Sequence, residues 1–337
     1  MSGAEIDRRA EILRFCNDLS SIARAAPPAK PGGGVAVGWM CFHRSMAGTQ
    51  ASNRRWARAI PLVGLFGLSL LWACADLRPD LLPDLAETAP YLERQVLPLA
   101  LLSIAAAAIA LARGAEWRPS LWPSIWIGLG LFTVPAAIVS VAGNWIGGLT
   151  RTALFTLTPI FAVVFEPYLA SPSAPQKRTG LLASLAAFAG SLLVFPVATP
   201  NSLPSAAAFV AVVAAAATIA AANCHGALKT ASLGRDATGQ LAAMASMAGA
   251  AGAVTLTAAS ALLEHPIWRW SSLAPELLWS MAIELPALLL LFWLMPRISA
   301  PRMTTRYVWA PLLALLAGVV LEQASRGVRP RTWLGLA

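Results

Sequence analysis

A chain of 337 residues that is 57% hydrophobic and 12% charged, with a mean hydropathy of +0.64, is too apolar for a water-soluble protein; soluble domains carry about 25% charged residues. The formal charge of +9 does not mark a nucleic-acid binder, because nine of the 25 Lys/Arg precede Ala59 and no basic helix with interleaved aromatics occurs. The cysteines (Cys16, Cys41, Cys74, Cys224) lack CxxC spacing and the histidines (His43, His225, His265) do not cluster, so neither a disulfide framework, a metal site nor a cofactor is expected.

Residues 1–58 read as a hydrophilic extension. Ile12, Phe15, Leu19 and Ile22 recur at helical spacing in a charged context, which suits a short amphipathic helix on a membrane surface, and the Pro-Pro and Gly-Gly-Gly of residues 25–34 read as a linker. An alternative stays open, a start at Met40 or Met46. The charged opening without an early apolar core argues against a cleavable signal peptide.

Beyond it, apolar runs long enough to cross a bilayer core of about 30 Å predict an all-α polytopic membrane protein. The first set of spans is Ala59–Asp76, Gln95–Arg113, Leu121–Val141, Gly147–Leu169 and Gly180–Ala198. A break at Thr199-Pro200-Asn201-Ser202 divides a first repeat, 59–200, from a second, 201–337. The second set is Pro204–Cys224, Ala237–Leu263, Ser272–Met295 and Thr305–Glu322, followed by the opening residues of a tenth span that the sequence leaves incomplete at Ala337. Nine full spans are thus expected. Five spans per half is an odd number, so the second half is expected to be inverted relative to the first, the geometry of alternating access.

Lys/Arg placement gives the orientation. With the N-terminus cytoplasmic, inside segments hold 18 Lys/Arg, Arg297, Arg302 and Arg306 among them, and outside segments hold seven. The first outside loop is acidic, with Asp76, Asp80, Asp84, Glu87 and Glu93. The expected location is the cytoplasmic (inner) membrane of a bacterium.

The most informative polar residue is Glu284, near the centre of the eighth span. A carboxylate there costs about 2.5 to 3.5 kcal/mol on insertion scales, so it is expected to face the bundle interior. Glu276, Ser280 and Glu284 lie four apart, on one helix face, and Pro286 frees a backbone carbonyl one turn earlier. Glu284 is therefore the candidate for binding a cationic or amine-bearing substrate or exchanging a proton; the competing reading is a structural glutamate. Thr156 and Thr158 gain interest from Pro159, Asn144 follows the third span, Asn223 flanks Cys224 in the sixth, and Trp72 in the first can stack on substrate or pack. The small residues Ala245, Gly249, Gly252 and Ala253 read first as a packing surface. No glycine-rich phosphate loop, HExxH or GxSxG motif points to an enzyme or an ATP-driven pump.

One pattern recurs. In Leu149–Ala183 an apolar helix carries Thr158-Pro159 and Ala162, then leaves through a loop ending in Arg178-Thr179 before Gly180 opens the next run; in Tyr307–Ala337 the counterparts are Ala310-Pro311, Ala314, Arg331-Thr332 and Gly335. At these residues, and at Leu70-Leu71-Trp72-Ala73, the chain resembles the EamA-like branch of the drug/metabolite transporter superfamily over roughly Ala59 to Ala337. The family often carries a glutamate late in the proline-bearing helix; Glu322 fits that position and Glu166 departs from it.

The resemblance implies a secondary active transporter, often an exporter, of a small organic metabolite or drug. It implies a full tenth span as well. The expected partners are a small-molecule substrate and the lipid bilayer, with a homodimer allowed. The alternatives are a non-transporting membrane scaffold or assembly protein of the same fold and, behind it, a membrane-embedded enzyme.

Overall fold

A computed structural model describes residues 59–77, 90–169, 178–231, 233, 238–264, 268 and 270–325, all within the unit Arg58–Ala337. The amphipathic extension, the acidic residues Asp80, Asp84 and Glu87, His265, and the tenth-span signals Arg331-Thr332 and Gly335 lie outside the described residues.

Among the described residues the regular structure is helical, with no strand. This follows from the solvent that the composition demands: in hydrocarbon every backbone donor and acceptor must be satisfied within its own segment, and a helix does this locally. Eight helical runs among the described residues are long and apolar enough to cross a membrane. The first is α1 (Ala59–Asp76) and the second α2 (Tyr91–Ala112). The third joins α3 (Leu121–Gly128) to α4 (Val134–Ala142) through a π-helical turn at Leu129–Thr133. The fourth is α5 (Gly148–Phe155) followed, after a break at Thr156-Leu157, by α6 (Thr158–Leu169).

The fifth predicted span is α7 (Arg178–Val194), whose apolar stretch Gly180–Val194 is shorter than the other spans. At 1.5 Å per residue its 17 residues reach about 25 Å, less than the usual core. The nine expected spans are thus eight long helical runs and one short one.

The sixth, α8 (Leu203–Ala231), continues seven residues past its expected end at Cys224. The seventh is α9 (Thr238–Leu263). The eighth joins α10 (Trp270–Trp279) to α11 (Leu285–Leu294) through a second π-helical turn, Ser280–Glu284. The ninth begins at Ala300, ahead of its expected start at Thr305: a five-residue helix, α12 (Ala300–Thr304), breaks at Thr305 before α13 (Arg306–Ser325).

These irregularities have causes in the sequence. Each π turn ends two residues before a proline, Thr133 before Pro135 and Glu284 before Pro286, in the parallel strings Val134-Pro135-Ala136 and Leu285-Pro286-Ala287. Proline offers no N–H and its ring crowds the carbonyl four residues back, so the preceding turn widens to restore its hydrogen bonds. The short helices α5 and α12 open alike, on extended caps at Gly147 (φ −65°, ψ 156°) and Ser299 (φ −66°, ψ 151°).

Small residues set the tightest packing. A Cβ on Gly249 would sit 2.8 Å from the Leu99 carbonyl oxygen and 3.0 Å from the Ser103 nitrogen, so α9 lies directly on α2. The Ser246 hydroxyl donates to the Ser103 carbonyl at 2.9 Å across the same contact. Gly128 of α3 approaches Ala248 as closely, its missing Cβ leaving room for the Ala248 backbone. Around these contacts Leu102, Ala106, Ile127, Leu131, Met244 and Leu291 form the main core. Val63, Phe66, Ile104, Leu111, Leu193 and Val254 face outward and exposed, as expected where lipid is the solvent.

Candidate central cavity

A cavity of about 460 Å³ opens between the helices, with lining from eight of the nine spans; the short α7 contributes none. The irregular segments shape it. The first π turn and α4 supply Leu131, Phe132, Pro135 and Ala136, while the second π turn and α11 supply Glu284, Ala287 and Leu288. Ala136 and Ala287 hold the same place after their prolines, and both face the space. Thr152 and Phe155 come from α5, just before its break, and Arg306 and Tyr307 from the opening of α13, just after the matching break. The Phe155 and Tyr307 rings stack with centroids 6.5 Å apart and planes 27° apart.

The charged lining consists of Asp76 at the end of α1, Arg94 near the start of α2, Glu284 and Arg306. Arg306 is the most constrained: it is fully buried, although a guanidinium is seldom buried without a carboxylate. Its charged carbon lies 5.0 Å from the centroid of Trp72 and 4.8 Å from that of Tyr307. Two aromatic faces attract a cation by about 0.5 to 2 kcal/mol each. Its hydrogen bonds are long: Nη1 donates to Asn223 Oδ1 at 3.4 Å and to the Met303 carbonyl at 3.3 Å, and Nη2 donates to the Tyr307 hydroxyl at 3.3 Å. Among the described residues its buried Nε donates to nothing.

Of the residues singled out in the sequence, Glu284 and Trp72 line the cavity. Ser280 is buried one turn away and donates to Glu284 Oε2 at 2.6 Å, orienting that carboxylate without being part of the lining. Asn223 stands behind Arg306; its amide donates to the Ile219 carbonyl at 2.8 Å, which leaves Oδ1 turned to the guanidinium. Thr156 is buried elsewhere, its hydroxyl 2.7 Å from Ser191 Oγ on α7 and 2.6 Å from the Ala153 carbonyl. It holds the helix break closed against α7. Asn144 is exposed in the turn after α4, away from the lining.

Sequence reasoning missed Arg306, Tyr307, Tyr91, Arg94 and Gln95 as cavity residues. Arg306 was counted among cytoplasmic loop charges, and its burial corrects that assignment. The available signal was its position inside the apolar run that opens at Thr305.

At the helix ends carrying Asp76 and Tyr91, two glutamates tie spans together. Glu264, after α9, accepts the Leu92 N–H through Oε2 and the Ser140 hydroxyl through Oε1, both at 2.9 Å. Glu93 Oε1 accepts the Trp268 N–H at 2.9 Å. Among the described residues no group of His, Cys, Asp and Glu has a metal-binding arrangement.

Comparison with known proteins shows the fold. One solved protein crystal structure superposes with a TM-score of 0.62 at 18% identity, covering 79% of this chain and 89% of its own. No protein-family model matches, and no curated protein matches.

Proposed function

We propose that this chain is a secondary active carrier that moves a small organic metabolite or drug by alternating access, with its substrate in the central cavity. The observation that carries this reading is the cavity itself: about 460 Å³, lined by eight spans and holding four charged side chains in a helical membrane protein. That volume falls in the range of small-molecule sites, about 300 to 1,000 Å³. Charged groups inside a bundle are costly and mark substrate or ion pathways.

The architecture in this proposal is a pair of inverted five-helix repeats, as in the EamA-like transporters that the chain resembles. Its support is the recurrence of local features: two π turns before Val-Pro-Ala and Leu-Pro-Ala, two extended caps at Gly147 and Ser299, and two broken spans. The stacking of Phe155 on Tyr307 fits a pseudo-twofold axis through the cavity, since both follow their caps by eight residues. The proposed location is a bacterial cytoplasmic membrane with the N-terminus inside.

Counterflow in liposomes tests the carrier. Vesicles holding the full chain and preloaded with unlabelled amines, amino acids, nucleosides or organic acids are expected to take up at least one labelled counterpart faster than protein-free vesicles. If none moves under any imposed ion or solute gradient, the carrier reading fails. With a transported solute in hand, Glu284→Gln is expected to flatten the pH dependence of uptake; an unchanged profile removes Glu284 from coupling.

A further inference from the structure

The geometry points to Arg306 as the anchor for a carboxylate, so that the ligand of the cavity is an organic monocarboxylate with a flat apolar body. This rests on the carrier reading for transport, though not for binding. Three observations lead to it. Arg306 is fully buried and, among the described residues, its polar partners are all neutral: the Asn223 amide oxygen, the Met303 carbonyl and the Tyr307 hydroxyl. Those bonds, at 3.3 to 3.4 Å, are longer than charge-assisted ones, and the buried Nε has no acceptor among the described residues. Among the described residues no carboxylate stands among those hydrogen-bond partners, and the rings of Trp72 and Tyr307 flank the cation instead.

The chemistry favours a carboxylate. A guanidinium presents its N–H groups as a planar fork that matches the two oxygens of a carboxylate, and here the plane is held between neighbouring residues rather than free to swing. Trp72 and Tyr307 meet edge to face, with centroids 5.7 Å apart and planes at 88°, and Asn223 fixes Nη1 from behind. Asn223 is thus a positioning residue. The same cavity is also lined by Phe155, Pro135, Ala136, Leu288 and Pro311, apolar surfaces that suit a ring or short hydrocarbon body.

Purified full-length protein in detergent gives the test, with three carboxylates of increasing size (acetate, benzoate and 1-naphthoate) measured against their uncharged amides and against benzylamine. Equilibrium binding and thermal shift are the readouts. Benzoate and naphthoate are expected to bind at least tenfold more tightly than their amides, with acetate weaker than both. Arg306→Lys, which keeps the charge but not the fork, is expected to lose tenfold or more in benzoate affinity, and Arg306→Gln to lose the preference for carboxylate over amide.

Amides or benzylamine binding as tightly as the carboxylates, or none of the three carboxylates binding, would make Arg306 a structural cation only and overturn the inference. The comparison of probes on the wild-type protein decides even if Arg306→Gln does not fold. The two readings separate cleanly. Benzoate that binds while no solute exchanges in liposomes leaves the anion site standing and defeats the carrier, whereas exchange confined to amines leaves the carrier standing and defeats the anion site.

Discussion

At the scale of single residues, the molecule spends stability where its helices touch and where its cavity is charged. Burying an arginine costs several kcal/mol, and the rings of Trp72 and Tyr307 offset part of that for Arg306. Glycine does the opposite work at Gly128, where a side chain would strike the Ala248 backbone, atoms that cannot swing aside as a flexible side chain can. Gly128→Ala is accordingly expected to destabilise the protein by about 1 to 3 kcal/mol, the usual range for overpacking. Gly190 on α7 has nothing within 4 Å of the same added carbon, so Gly190→Ala should leave stability unchanged or raise it slightly. Melting temperatures of the two variants in one detergent check the contrast; equal losses would mean that α3 and α9 are not packed as described.

At the scale of elements, the proline-linked π turns explain how straight apolar sequences come to surround a polar space. In α3 and α4 the widened turn carries Thr133, whose hydroxyl lies 2.6 Å from that of Thr255 on α9. This pair links the third and seventh spans across the core. Interhelical hydrogen bonds of this kind in membranes average about 0.6 kcal/mol, because the separated helices also find partners. Thr133→Val should therefore cost roughly that much, and Thr255→Val made on top of it should add little. A double-mutant cycle by reversible unfolding measures the coupling; additive losses would show that the two hydroxyls do not interact.

The helical class and span positions could be read from the chain because each apolar run states its own length. The π turns were only half legible. Pro286 was read as freeing a backbone carbonyl, but Pro135 was not singled out, and which turn would widen depends on the neighbouring helix that fills the space beside it. The ninth span was misjudged at its start for a similar reason: Ala300–Thr304 reads as a polar loop with Arg302, and it becomes helix only because Ala300, Met303 and Thr304 are buried by tertiary packing.

At the scale of the whole molecule, the cavity lies between spans that are clasped at one end by buried or half-buried carboxylates. Glu264 binds the first turn of α2 and the end of α4 at once. A carboxylate can accept both bonds through separate oxygens, whereas the amide of Glu264→Gln has one acceptor oxygen and must give up one of them. Loosening of this end is the expected consequence. It is measured with a cysteine placed at Gln95, which lines the cavity, in a background without the native cysteines. An impermeant maleimide should label Gln95→Cys several-fold faster when Glu264→Gln is also present. Equal labelling rates would show that the clasp does not control access.

What the sequence determined by itself is local: that the polypeptide lives in lipid, where along the chain its helical runs lie, and that Glu284 cannot lie at membrane depth without facing inward. Composition and the length of each apolar run are enough for that, since a helix in hydrocarbon satisfies its backbone with no help from its neighbours. Only the tertiary structure decided which polar residues meet. Trp72, Asn223 and Arg306 sit on three different spans, far apart along the chain, and meet at the Arg306 guanidinium, which enters from the opening of α13 just after the break in the ninth span. Thr156 shows the reverse, a residue promising by its proline neighbour that packing turned instead toward Ser191. The side on which a hydroxyl or a guanidinium ends up is set by the helices that close around it, and no single helix carries that information.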